Sequence, residues 1–224
     1  MSDNTTPGAP ALPRRLLDTL FSPGKMAEAV VRHPKWVGAL LVSMVLVAIS
    51  TALIPPEMFA EVQRRAALER GMSPPPMSDD TLRLIRIFSV AGGALAMAVI
   101  SFVMSGLYTL VFAFILGDEG TYRQYLSVMV HAAVIPALFS MALVPLRIST
   151  GDPQATLSVG SFLVFLEPGY VLNVFRLLDL TQLWSSAVVA LGVHQIDRRR
   201  GFGSAFIILF CFTLAVALII ARFL

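Results

Sequence analysis

Ionised side chains are scarce in this 224-residue chain, at 14% of residues, where a soluble domain carries about 25%. They are almost missing from five apolar runs: Trp36–Ile54, Phe88–Leu116, Leu126–Leu146, Leu177–Val193 and Phe202–Ala221. A hydrocarbon core about 30 Å thick takes roughly 20 apolar residues per helix, and an ion at its centre costs at least ~2.5 kcal/mol. The pattern places the chain in a bilayer. Other absences narrow its chemistry. The single cysteine, Cys211, lies inside the last run, which excludes a disulfide framework or a thiolate metal site and reads as packing. A net charge of +3, scattered along the chain, excludes nucleic acid as a partner. The first 35 residues hold no continuous apolar core, so no cleavable leader is expected and the first run is retained as an anchor.

Catalytic motifs are absent too. The chain has no His-Glu-x-x-His, no Gly-x-Ser-x-Gly and no Gly-Lys-Ser/Thr phosphate loop. No catalytic, cofactor-binding or metal-binding residues and no cofactor are predicted, and the chain does not read as an enzyme. Gly92-Gly93 sits within an apolar run, out of reach of a nucleotide.

What is present predicts an all-α membrane bundle of five transmembrane helices, about 36–54, 85–116, 122–146, 171–193 and 202–222. Residues 1–11 are rich in Ser, Thr, Pro and Gly and read as disordered. Residues 12–35 read as an amphipathic interfacial arm. There Leu12, Leu16, Leu17, Leu20 and Phe21 form one stripe, and Met26, Ala27, Val30 and Val31 another, on two short helices divided at Ser22-Pro23-Gly24. A soluble helical arm without membrane contact is the other reading. Glu57–Arg70 reads as a charged helix between spans, and Ser78 with Asp79 and Asp80 as the start of the second span. Thr121-Tyr122-Arg123-Gln124 fits a capping box opening the third, with a kink at Pro136. Leu157–Leu166 is apolar but too short to cross, and reads as re-entrant or interfacial.

Of the 17 basic residues, nine fall inside and eight outside when the N-terminus is cytoplasmic. The Arg198-Arg199-Arg200 run in a tight turn favours that orientation, with the C-terminus across the membrane.

Polar groups at membrane depth are where activity would be sought. His131 lies about 15 Å into the third helix; it reads as a proton relay or ion ligand, or as a neutral histidine bonded to nearby backbone. Arg176, Asp179, Gln182 and Ser186 share one side of the fourth span, and Arg176 can pair with Asp179 across a turn. Such a stripe lines a transport path or locks helices together. Ser89, Gly92, Gly93 and Ala96 give small-residue spacings that let helix backbones approach.

Three groups of residues resemble bacterial members of the Yip (Ypt/Rab-interacting) domain family. They are Leu20-Phe21-Ser22-Pro23 with His33-Pro34; Gly120-Thr121-Tyr122-Arg123-Gln124-Tyr125-Leu126 with Ala132-Ala133-Val134-Ile135-Pro136; and Leu178-Asp179-Leu180 with Trp184 and Gly192 before a basic turn. The resemblance runs from about Leu17 to Ile219. It implies five spans, a cytoplasmic N-terminus and no assigned activity. Eukaryotic relatives bind small GTPases, but the Asp-Leu-Tyr-Gly-Pro pattern associated with their cytoplasmic arm is absent, so GTPase binding is not carried over. The expectation is a multi-pass scaffold in a cell membrane, the bacterial inner membrane, that organises lipid, itself or other membrane proteins. The alternative is a small transporter using His131 and the Arg176–Ser186 stripe. The scaffold reading predicts that Gly92→Leu or Gly93→Leu disrupts assembly and that His131→Ala is tolerated.

Overall fold

A computed structural model describes residues 10–74, 77–163 and 165–224. Most of the expected disordered terminus, and Pro75-Pro76 in the longest loop, lie outside the described residues. Eleven α-helices make up the described fold: α1 Leu12–Phe21, α2 Pro23–Arg32, α3 Val37–Leu53, α4 Pro56–Glu69, α5 Asp79–Tyr108, α6 Tyr122–Ala132, α7 Val134–Ala142, α8 Val144–Thr150, α9 Tyr170–Leu177, α10 Leu180–Ile196 and α11 Phe202–Ile220. Among the described residues the only β-type pairing is an isolated antiparallel bridge between Ser158 and Asp179.

Local chemistry sets several helix ends. Ser78 accepts from the Thr81 amide and starts α5. At α6 the capping box forms: Thr121 Oγ1 accepts from the Gln124 amide, and Gln124 Oε1 accepts from the Thr121 amide. Hydroxyls at Ser101, Ser105 and Thr109 each donate to the carbonyl four residues back, a habit that bends helices. There α5 widens into a π-helical segment, Thr109–Ile115. The break between α6 and α7 falls at Ala133, one turn before Pro136, because proline cannot donate to the carbonyl of Ala132.

Among the described residues three helical stretches are long and apolar enough to cross a membrane: Asp79–Ile115, Tyr122–Ala142 and Phe202–Ile220. A fourth is present if α3 and α4, bent by 83° to each other, count as one span. The α6–α7 stretch is central and largely buried, whereas α5 and α11 are mostly exposed. Leu95, Val99, Val103, Ile207 and Ile219 point outward from those two helices. An apolar exterior around a buried centre is the arrangement a lipid solvent selects.

The core runs along α6 and α10. Phe112, Tyr125, Val128, Ile135, Val188, Val189 and Val193 are buried together, and Met26 and Val30 of α2 join them. Thus the apolar stripe of α2 packs against α6 and α10. The run read as one fourth span, 171–193, is divided into α9 and α10. At the division, Val159 donates its amide to the Leu178 carbonyl and Leu180 donates to the Leu157 carbonyl. Backbone groups that would continue a helix are spent on the 157–159 segment instead.

Gly192 permits a close approach of two core helices. A Cβ there would lie 2.2 Å from Val128 Cγ1, so only glycine lets α10 meet α6 at this distance.

Candidate functional site

Three clusters of polar groups tie the bundle's helices together among the described residues. In the first, α1 presses Arg15 onto α6. Arg15 is 5% exposed and His131 fully buried. His131 Nδ1 lies 2.7 Å from the Ser127 carbonyl oxygen, which can only accept. Nδ1 therefore carries the proton, a tautomer assigned from the bonding network. Nε2 is left as an acceptor, 3.3 Å from Arg15 Nη1. The same Nη1 donates to the Lys35 carbonyl at 2.8 Å. Among the described residues Arg15 Nε has no partner, and no carboxylate pairs with the guanidinium. Burial lowers the Arg15 pKa, but a guanidinium starts so high that it stays charged. A buried cation is thus held by neutral acceptors. The sequence reading missed Arg15: its partners are 20 and 116 residues away, and nothing local marks it.

In the second place, α8, α7, α3 and the start of α10 meet. Arg147 Nε donates to the Ala155 carbonyl at 3.0 Å. Its Nη1 reaches Ser140 Oγ at 3.2 Å and Ser50 Oγ at 3.4 Å, and those two hydroxyls are 2.9 Å apart. Asp179 caps α10: Oδ1 accepts from the Thr181 amide, the Thr181 hydroxyl and the Gln182 amide. Arg147, Asp179, Gln182, Ser140 and Thr156 line a pocket of about 160 Å³.

Arg176 is not part of it. The division before α10 carries Arg176 away onto α9, against Gly160, where a Cβ would lie 2.7 Å from the Arg176 amide nitrogen. Among the described residues Arg176 and Asp179 form no ion pair, because Asp179 turns to the helix amides it caps. Asp179 and Gln182 are brought together; His131 shares neither a hydrogen bond nor the pocket with them.

The third place closes the opposite end of α10. Arg200 grips Asp118 with two bonds, Nε to Oδ2 at 2.8 Å and Nη2 to Oδ1 at 2.6 Å. Both side chains are largely buried, at 19% and 6% exposed. Asp197 accepts from the Glu119 amide at 2.9 Å and from Arg199 Nη2 at 2.6 Å. The Arg199 guanidinium and the Glu119 and Arg199 amides hold the Asp197 carboxyl well below the usual carboxylate range. The turn after α5 is thereby buckled to the α10–α11 turn. Opposite charge in two short loops on one side, Asp118-Glu119 and Arg198-Arg199-Arg200, was the available signal.

The small residues of α5 divide between two directions. A Cβ on Gly93 would sit 3.5 Å from Val47 and Thr51 of α3, but one on Gly92 would meet nothing within 4 Å. Ala96 is exposed like Gly92, and Ser89 is half-buried. No cluster of three or more potential metal-ligating side chains exists among the described residues.

A family model described as Yip1 domain matches residues 17–221. No curated protein and no solved structure matches the chain significantly.

Proposed function

The chain belongs to the Yip1 domain family, and on that premise we propose that it is a non-enzymatic multi-pass scaffold that organises lipid, its own copies or other membrane proteins. Five spans serve this reading: α3, α5, α6–α7, α10 and α11. The N-terminus is cytoplasmic, the C-terminus lies across the membrane, and the location is a cell membrane, in bacteria the inner one. The polar ends of α10 support that placement, since its 17 residues span about 26 Å at 1.5 Å per residue, close to a hydrocarbon core.

One observation carries the scaffold reading. The polar groups that interrupt the apolar runs are tied to neighbours in separate places: His131 has both ring nitrogens engaged by Ser127 and Arg15, and Asp179 caps α10 through Oδ1. A transport path needs such groups to face one continuous passage. Cross-linking of the full chain in native membranes tests the proposal, with adducts larger than the monomer expected. Recovery of monomer alone, together with proton or solute flux in reconstituted liposomes, overturns it in favour of a small transporter.

A further inference from the structure

The pocket at the start of α10 holds two opposite charges that are not satisfied by each other. Among the described residues Arg147 bonds to neutral oxygens alone, at Ala155, Ser140 and Ser50. Among the described residues it has no carboxylate within ion-pair distance. The side-chain hydrogen bonds of Asp179 all fall on Oδ1, and Oδ2 accepts none from the described residues. Both groups line the same pocket, with the Gln182 side chain beside them. A half-buried guanidinium and a half-buried carboxylate held in place by other bonds form a frame for a ligand of complementary polarity.

We infer that this pocket binds a phosphate–ammonium zwitterion of the phosphoethanolamine class, its phosphate on Arg147 and its ammonium on Asp179 Oδ2, supplied by a membrane lipid headgroup. Size agrees: a pocket of about 160 Å³ is well above the space one water needs and suits that small group. Among the described residues Arg147 Nη2 makes no hydrogen bond and is the edge left to donate to a phosphate oxygen, and a primary ammonium can donate to Oδ2 where a trimethylated one cannot. Location agrees as well. The inference rests on the proposed topology, in which the start of α10 lies at a membrane face, so the pocket opens at headgroup depth.

The test uses the purified full chain in detergent and reads lipid binding by native mass spectrometry. The probes are a phosphatidylethanolamine, a phosphatidylglycerol and a phosphatidylcholine with identical tails, and soluble O-phosphoethanolamine. Preferential retention of phosphatidylethanolamine is expected. Asp179→Asn keeps the capping oxygen and removes the charge, so the preference falls roughly 10- to 150-fold. Arg147→Gln is expected to weaken retention of both phosphatidylethanolamine and phosphatidylglycerol. Binding of soluble phosphoethanolamine without the lipid keeps the zwitterion and overturns its lipid source. Equal retention of all three lipids, or an unchanged preference in a folded Asp179→Asn protein, overturns the assignment. Topology is read separately, by labelling Thr156→Cys in a Cys211→Ala background with an impermeant maleimide. A labelling pattern that places Thr156 in the cytoplasm defeats the topology whatever the lipid result.

Discussion

Replacing His131 by alanine separates two forces that dock the α1–α2 hairpin. The substitution removes the acceptor for Arg15 Nη1 and leaves the Lys35 carbonyl as that atom's remaining partner. A hydrogen bond to a charged group contributes about 1.5–3 kcal/mol. The apolar anchor is larger. Met26 and Val30 are fully buried, at about 1.5–3 kcal/mol each when the alternative is water, an upper estimate. The anchor therefore outweighs the lost bond, and the hairpin stays docked while opening more often. In a Cys211→Ala background, Thr19→Cys places a thiol of similar size at a fully buried position of α1. Its labelling by a water-soluble maleimide scales with the population of the opened state. His131→Ala is expected to speed that labelling roughly 10- to 150-fold, while leaving it slower than at Phe21→Cys, a position 78% exposed. An unchanged rate refutes the Arg15–His131 contact. A rate equal to that at Phe21→Cys refutes the apolar anchor as the dominant force.

Three further outcomes are expected. Gly192→Val drives new methyls into Val128 and destabilises the α6–α10 contact by about 1–3 kcal/mol or more; adding Val128→Ala recovers part of the loss in a thermal-unfolding double-mutant cycle. Gly93→Leu disturbs the α3–α5 packing and lowers the unfolding midpoint, whereas Gly92→Leu, which points into open space, does not. Acid loosens the α10–α11 turn: the depressed Asp197 carboxyl contributes stability that is fully present above the unfolded value of about 3.9 and is lost as pH falls through the lower folded value. Unfolding midpoints in detergent should hold steady from pH 7 to pH 5, drop below about pH 4, and lose that acid sensitivity in part in Asp197→Asn.

Membrane residence, the starts of α5 and α6 and the arm's two-helix division were legible in the sequence, because each rests on neighbours a few residues apart. Charge scarcity sums over a run, and Ser78 and Thr121 cap amides within three positions. The family could be read as well, from short motifs in order over residues that the Yip1 domain match also covers. Which polar groups meet was settled by tertiary contacts alone. The Arg176–Asp179 pair is plausible on a continuous helix and vanishes once the 157–159 backbone captures Leu178 and Leu180. Arg15 and His131 lie 116 residues apart, and Asp118 and Arg200 lie 82 apart. Helical periodicity says which residues share a face; it does not say which face of which helix lies opposite. Hence the few charges that interrupt the apolar runs mark from sequence alone where polar contacts must exist, and only the packing of α1, α6, α8 and α10 decides their partners.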